Sequence, residues 1–89
     1  MDFRWNGWNI EHIARHGVSP EEAESVVCQA KRPFPRKCGE GKFMVWGRGD
    51  GGRFLQVIFA LDAAGTVYVL HSRPLTDIEK QRFRRSEKP

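Results

Sequence analysis

The residues whose types and spacing could do chemistry are three histidines and a set of arginines in the second half of the chain. His71 and Arg73 stand two apart where the pattern reads as a strand, so both side chains fall on one face. If that face is not the one covered by helices, both project into solvent or a groove. Arg48 ends one expected strand and Arg53 begins the next, so a hairpin would set them at one end of a sheet. Arg82, Arg84 and Arg85 follow on the last expected helix and suit contacts to a phosphate backbone. Such a set meets the needs of metal-free RNA cleavage. A base removes the proton of a 2′-hydroxyl, which attacks the neighbouring phosphate, and an acid protonates the leaving oxygen. Histidine, with a reference pKa of about 6.5, serves as either near neutral pH. Fixed guanidinium groups stabilise the charge that gathers on the pentavalent phosphorus. The bland alternative is that arginines at strand ends are solvated charges.

Other chemistries find less support. His12 and His16 share one helix face at a spacing that can hold a metal, but a site needs a third ligand and a supporting shell. Glu11 sits outside the H-E-x-x-H frame, and Cys28 and Cys38 are no C-x-x-C pair. The expectation is therefore no metal and no cofactor. His16 near a helix C-terminus also suits the helix dipole without any ligand. The stretch Gly47-Arg48-Gly49-Asp50-Gly51-Gly52 is glycine-rich but opens no helix, so it reads as a turn rather than a phosphate loop. Paired carboxylates for hydrolysis are not evident.

These residues must be positioned by a small number of elements. Phe3 and Trp5 alternate with Arg4 as a short edge strand would. Asn6 or Asn9 can cap a helix to about Arg15, with Ile10, Ile13 and Ala14 turned inward and Gly17 as its stop. Ser19, Pro20 and Glu22 form a capping box for a second helix, whose inner stripe is Ala23, Val26 and Val27. Pro33 and Pro35 then impose a loop or an edge strand. Strands are expected over 42–47, 53–61 and 66–72, the second of them apolar enough to be central. Thr76 and Glu79 make a second capping box for a last helix, and 86–89 reads as a disordered tail. The expected fold is a single α+β domain over 1–89: an antiparallel β-meander with two N-terminal helices and one C-terminal helix, packed on one face.

Size and charge narrow the function classes. The chain has 89 residues, enough for one core only. The longest apolar run is 57–61, far short of the roughly 20 residues of a membrane span, and the first residues lack the apolar stretch of a signal peptide. Two cysteines cannot build the disulfide framework of a small secreted domain, so reduced thiols and a cytoplasmic location are expected, with a disulfide as the alternative. Residues 1–30 hold two arginines against five acids, whereas 31–89 hold 13 basic residues against six acidic. That concentration of positive charge, with a pI near 9.5, suits a polyanionic partner, nucleic acid above all.

The stretch Trp5-x-x-x-Asn9-Ile10-x-His12-Ile13-x-x-His16-Gly17-Val18-Ser19, followed by Glu21-Glu22-Ala23-Glu24, resembles the N-terminal signature of BrnT-family toxins. Gly47-Arg48, Val57-Ile58-Phe59 and His71-x-Arg73-Pro74-Leu75-Thr76-x-x-Glu79-Lys80 are similar to that family's second half, in order. The resemblance runs over roughly 3–85, while Lys31 to Cys38 matches no pattern. It implies a RelE-like fold and the toxin of a type II toxin–antitoxin system, a ribonuclease that cleaves mRNA and arrests translation. It further implies a cognate ribbon-helix-helix antitoxin (BrnA-like) and operator DNA bound through the complex, in which the toxin could pair as a homodimer. Carried over by motif, Arg48, Arg53 and Arg73 would bind phosphate and stabilise the transition state, and His71 would be acid or base. His16 would serve catalysis or packing around Gly17. Two departures stand out: Ser72 where the family usually has Ala, and Phe83 where many members carry Tyr. The competing reading is a non-catalytic nucleic-acid-binding or protein-interaction module on the same fold.

Overall fold

The computed structural model describes residues 1–87, with side chains through Ser86. It is a small α+β domain of three helices on a five-stranded mixed sheet. The first helix, α1 (Gly7–Ala14), starts where the Asn6 side chain accepts from the Asn9 N–H at 3.1 Å. Asn9 answers by accepting from the Asn6 N–H at 2.8 Å, and its amide donates to the Arg4 carbonyl at 3.1 Å. Asn9 is thereby satisfied and fully buried beside Ile13, while Ile10 and Ala14 face solvent. The inner face is therefore rotated from the expected Ile10–Ile13–Ala14 stripe, because a capped asparagine can go inside. Gly17 turns the chain at φ +71°, a conformation that costs glycine nothing. Helix α2 (Pro20–Cys28) opens on the Ser19–Glu22 capping box and buries Ala23, Val26 and Val27, as its spacing predicts.

The strands are β1 (Phe3–Arg4), β2 (Arg36–Gly39), β3 (Lys42–Arg48), β4 (Phe54–Leu61) and β5 (Val67–Pro74), in the order β1-β5-β4-β3-β2. The apolar β4 is central, as expected. Neighbours from β2 to β5 pair antiparallel, but the edge strand β1 runs parallel to β5, so the sheet is mixed. No hairpin links β1 to β5, so no turn dictates its direction.

One face carries Val45, Leu55, Val57, Phe59, Val67 and Val69, all buried, and receives α2. Gly47 lies on this face, where an added Cβ would come within 3.3 Å of a Val26 methyl. A side chain there would make Val26 give by a few tenths of an ångström, so glycine suits the close approach of the helix. Met44, Trp46, Gln56 and Ile58 belong to the other face, which is only partly covered.

Helix α3 (Asp77–Glu87) begins on the Thr76–Glu79 capping box. Its Phe83 packs at 6.0 Å from both Phe54 and Phe34, and Phe34 reaches Trp46 at 5.9 Å. These rings cover the Arg48 end of the second face, so the three helices do not share one face as expected. The chain between α2 and β2 carries Phe34 across the sheet edge, and a second small cluster becomes available there. Ser86 and Glu87, expected in a disordered tail, belong to α3; Lys88 and Pro89 lie outside the described residues.

Candidate active site

Strand β5 decides which chemistry-bearing side chains are presented. Val67 and Val69 point into the core, and strict alternation would send residues 71 and 73 inward after them. The register instead slips by one between Ile58 and Phe59: Val69 pairs with Phe59 and His71 with Ile58, leaving Leu70 as the extra residue of a bulge. Beyond it the phase is reversed. Ser72 becomes the buried residue, its hydroxyl donating to the Gln56 carbonyl at 3.0 Å, and His71 and Arg73 turn to the open face. Bulges commonly re-aim a side chain in this way beside functional sites. The Ser72 hydroxyl is satisfied, which explains why the core accepts it.

His71 meets the other two histidines of the chain. Its ring centroid lies 5.1 Å from His16 and 6.0 Å from His12, both edge-on. Helix α1 packs against β5 with Ile13 in the core and carries His12. His16 lies not on the helix, as its spacing suggests, but in the turn after it, where its N–H donates to the Ile13 carbonyl at 3.1 Å. Both rings nonetheless meet His71. Trp8, one turn earlier in the same row, stacks on His12 at 4.7 Å and 9°. Nδ1 of His71 is buried with no hydrogen-bond partner. Burial pushes the His71 pKa below its usual 6.5, and electrostatic interaction with His16, His12 and Arg73 adds to that. The imidazole is consequently neutral at neutral pH and able to accept a proton. Among the described residues no group of three His, Cys, Asp or Glu side chains is arranged to hold a metal ion.

Arg73 lies beside the cluster, but most of its donors are engaged. Its two terminal nitrogens bond both Glu79 oxygens at 2.7 and 2.8 Å, the Pro74 carbonyl at 3.1 Å and Gln56 at 3.4 Å. This bidentate pair holds the Glu79 carboxyl at about 2, well under its ordinary range. Trp46 donates to the same Gln56 oxygen at 2.9 Å, so the network runs from β3 through β4 and β5 to α3. Arg73 thus brings charge and rigidity to the His71 side of the sheet, with only Nε–H free of a partner among the described residues.

The other arginines sit elsewhere. Arg53 clamps Glu22 at 2.7 and 3.0 Å and the Gly17 carbonyl at 2.7 Å, pinning the turn that follows His16. Arg48 donates Nε–H to the Gly52 carbonyl at 3.0 Å and lies over the Phe54 ring at 5.4 Å. Arg48 pairs with Phe54, four residues along β4 from the Ile58 that faces His71, and β3 and β5 are two strands apart. That separation is about 16 Å, beyond side-chain contact. A pocket of about 210 Å³ opens beside Arg48, lined also by Lys31, Arg32, Trp46 and Phe83. Arg82, Arg84 and Arg85 are exposed on α3, with Arg84 over Phe54 at 5.8 Å. The hairpin does set Arg48 and Arg53 at one end of the sheet, where β5 also ends after Arg73. Arg53 is turned to Glu22, however, and Arg73 to Glu79, whereas His16 and His71 converge farther along β5. Sequence pattern marks His12 only as a metal candidate and gives Trp8 no role; the i, i+4, i+8 spacing of Trp8, His12 and His16 is the signal that points to their convergence. Compared with protein-family models, curated proteins and solved structures, the chain finds no match in any of the three.

Proposed function

We propose that the chain is a metal-independent endoribonuclease, the toxin of a type II toxin–antitoxin pair of the BrnT kind, with a RelE-like arrangement of its meander and helices. The observation that carries the reading is the convergence of His12, His16 and His71 on an incompletely covered sheet face. His71 is neutral at neutral pH and takes the role of base toward the 2′-hydroxyl. His16, exposed at the end of its row, is placed to return a proton to the leaving oxygen. Arg73, already anchored by Glu79, contributes positive charge beside the reacting phosphate rather than a free bidentate grip. The basic second half of the chain would draw in the RNA, and Arg82, Arg84 and Arg85 would contact its backbone. The partners in this reading are mRNA, a ribbon-helix-helix antitoxin and, through that complex, operator DNA; the location is the cytoplasm. No helix among the described residues is long and apolar enough to cross a membrane.

The pairing of Arg53 and Arg73 with carboxylates favours the second reading, a nucleic-acid-binding module without chemistry, since neither guanidinium is fully open to a phosphate. Inducible expression of the wild type beside His71→Ala and Arg73→Ala, with cellular RNA probed for breaks, separates the two. The ribonuclease reading expects growth arrest and fragmented mRNA, both relieved by His71→Ala. Normal growth and intact RNA at good soluble expression would overturn it in favour of the binding module.

A further inference from the structure

Trp8 is 55% exposed, unusual for the largest apolar side chain, and it does not stand alone. Its indole is stacked on His12 and lies 6.5 Å from Tyr68, the two rings within 19° of parallel. The Arg4 guanidinium covers Tyr68 at 4.7 Å, and no carboxylate pairs with Arg4 among the described residues. The Tyr68 hydroxyl is within 3.3 Å of the Asn6 side chain, which also caps α1, so ring and helix start are held together. The result is a set of near-parallel aromatic rings in which Trp8 is exposed and Tyr68 and His12 are half-buried, with an unpaired cation on the Tyr68 side and the histidine cluster on the His12 side.

From this set we infer a binding site for unpaired nucleobases of single-stranded RNA: Trp8 is the stacking surface and Arg4 the contact to the adjoining phosphate. The inference rests on the RNA reading above and adds what that reading lacks, a device that seats one nucleotide next to the histidines. Indole stacking is tolerant of base identity but needs the base out of a helix, so the site selects single strands over duplex. A base on Trp8 would lie one ring from His12, which is itself 6.0 Å from His71. The neighbouring phosphate is thereby directed toward the imidazoles. An exposed Trp on an acidic first third of the chain has no role in the core, so its loss leaves the fold standing.

The test is binding of a short mixed-sequence oligonucleotide with 2′-O-methyl sugars, which cannot be cleaved, followed by fluorescence anisotropy as single strand and as duplex. Wild type, Trp8→Ala, Trp8→Phe and Arg4→Gln are compared at one salt concentration, with thermal unfolding as the check on fold. The site predicts tighter binding of the single strand than the duplex. It predicts a loss of about ten- to a hundredfold for Trp8→Ala, largely restored by Trp8→Phe, and a smaller, salt-sensitive loss for Arg4→Gln. Unchanged affinity in a folded Trp8→Ala protein, or preference for duplex, would overturn it. Cleavage of unmodified RNA is measured alongside. Binding that depends on Trp8 without cleavage supports the site and defeats the ribonuclease reading. Cleavage indifferent to Trp8 does the reverse. A wild type that neither binds nor cleaves defeats both.

Discussion

The two ends of the open sheet face are built on opposite terms. At the Arg48 end, charge is locked into structure: Phe34, Trp46, Phe54 and Phe83 pack together, and Arg48 lies on Phe54. On the reverse side of that hairpin, Arg53 spends its donors on Glu22 and Gly17. At the His71 end polar groups are left unmatched, with a buried nitrogen lacking a partner and three imidazoles crowded together. Burying an unpaired polar atom costs about 1–3 kcal/mol, an expense folding alone does not explain. The difference teaches that Arg48 and Arg53 mark where this chain is fastened, and that the unfastened histidines are the better place to look for chemistry.

The sharpest way to break this comparison is to remove one group from each end and read activity. His71→Ala should lower RNA cleavage on the order of 10²–10⁴-fold while leaving the unfolding midpoint nearly unchanged or raised, since it removes the unmatched nitrogen. The pH profile sharpens it. Because the His71 pKa is depressed, the acid limb of cleavage should fall below pH 6.5, where the base becomes protonated. The same depression makes folding favour the neutral ring: its contribution to stability is complete above pH 6.5 and drains away as pH falls toward the folded pKa. An acid limb at or above pH 6.5 would mean that another group is the base.

Next in size is a cut at the fastened end. Phe83 is 9% exposed and touches both Phe34 and Phe54. Phe83→Ala should cost about 3 kcal/mol by denaturant unfolding, the usual range for a buried ring. Its effect on cleavage per folded molecule should be minor. A large loss of chemistry with little loss of stability would reverse the assignment of roles to the two ends.

Between the ends stands the Arg73–Glu79 pair. Glu79→Gln should cost on the order of 2 kcal/mol at neutral pH. The sign follows from the carboxyl: its folded pKa of about 2 lies under the ordinary 4.5, so its stabilisation is present above pH 4.5 and lost as pH falls toward 2. Wild type and Glu79→Gln should therefore converge in stability in acid, measured by thermal unfolding from pH 2 to 7. Freed of its carboxylate, Arg73 would also gain open donors, so RNA binding by the variant should strengthen if that guanidinium faces phosphate.

How much of this was legible follows the distance over which each signal acts. The Ser19–Glu22 and Thr76–Glu79 capping boxes are three-residue relations and read directly, as does the apolar run that makes β4 central. The inward turn of Asn9 was not, because a polar residue looks external until its hydrogen bonds are known. Nor was the burial of Phe34, since the prolines around it announce a loop and not the crossing of a sheet edge. The site was half legible. His71 and Arg73 were placed on one face correctly by spacing, but which face depends on one extra residue, Leu70, and a bulge leaves no mark in the alternation of Val67-Tyr68-Val69-Leu70. Pairing of Arg53 with Glu22 spans 31 positions, and nothing local in one sequence reports it.

Arg53 supplies the smallest effect and the finest test of the comparison. Its charge is fully accounted for by Glu22, but the side chains are 42% and 22% exposed, so solvent screening leaves the pair worth well under 1 kcal/mol. Arg53→Ala should therefore lower stability by only a few tenths of a kcal/mol, and high salt should erase most of the difference from wild type. Its second contact is more specific. The bond to the Gly17 carbonyl holds the turn directly after His16, so losing it loosens the placement of one member of the histidine cluster. Cleavage should then fall a few-fold, in contrast to the loss expected for His71→Ala. Arg53→Lys, which keeps the charge but not the fork that spans Glu22 and Gly17, should resemble Arg53→Ala in cleavage and the wild type in salt dependence. A loss as deep as that of His71→Ala, with unfolding unchanged, would put Arg53 on the phosphate and erase the distinction between the two ends.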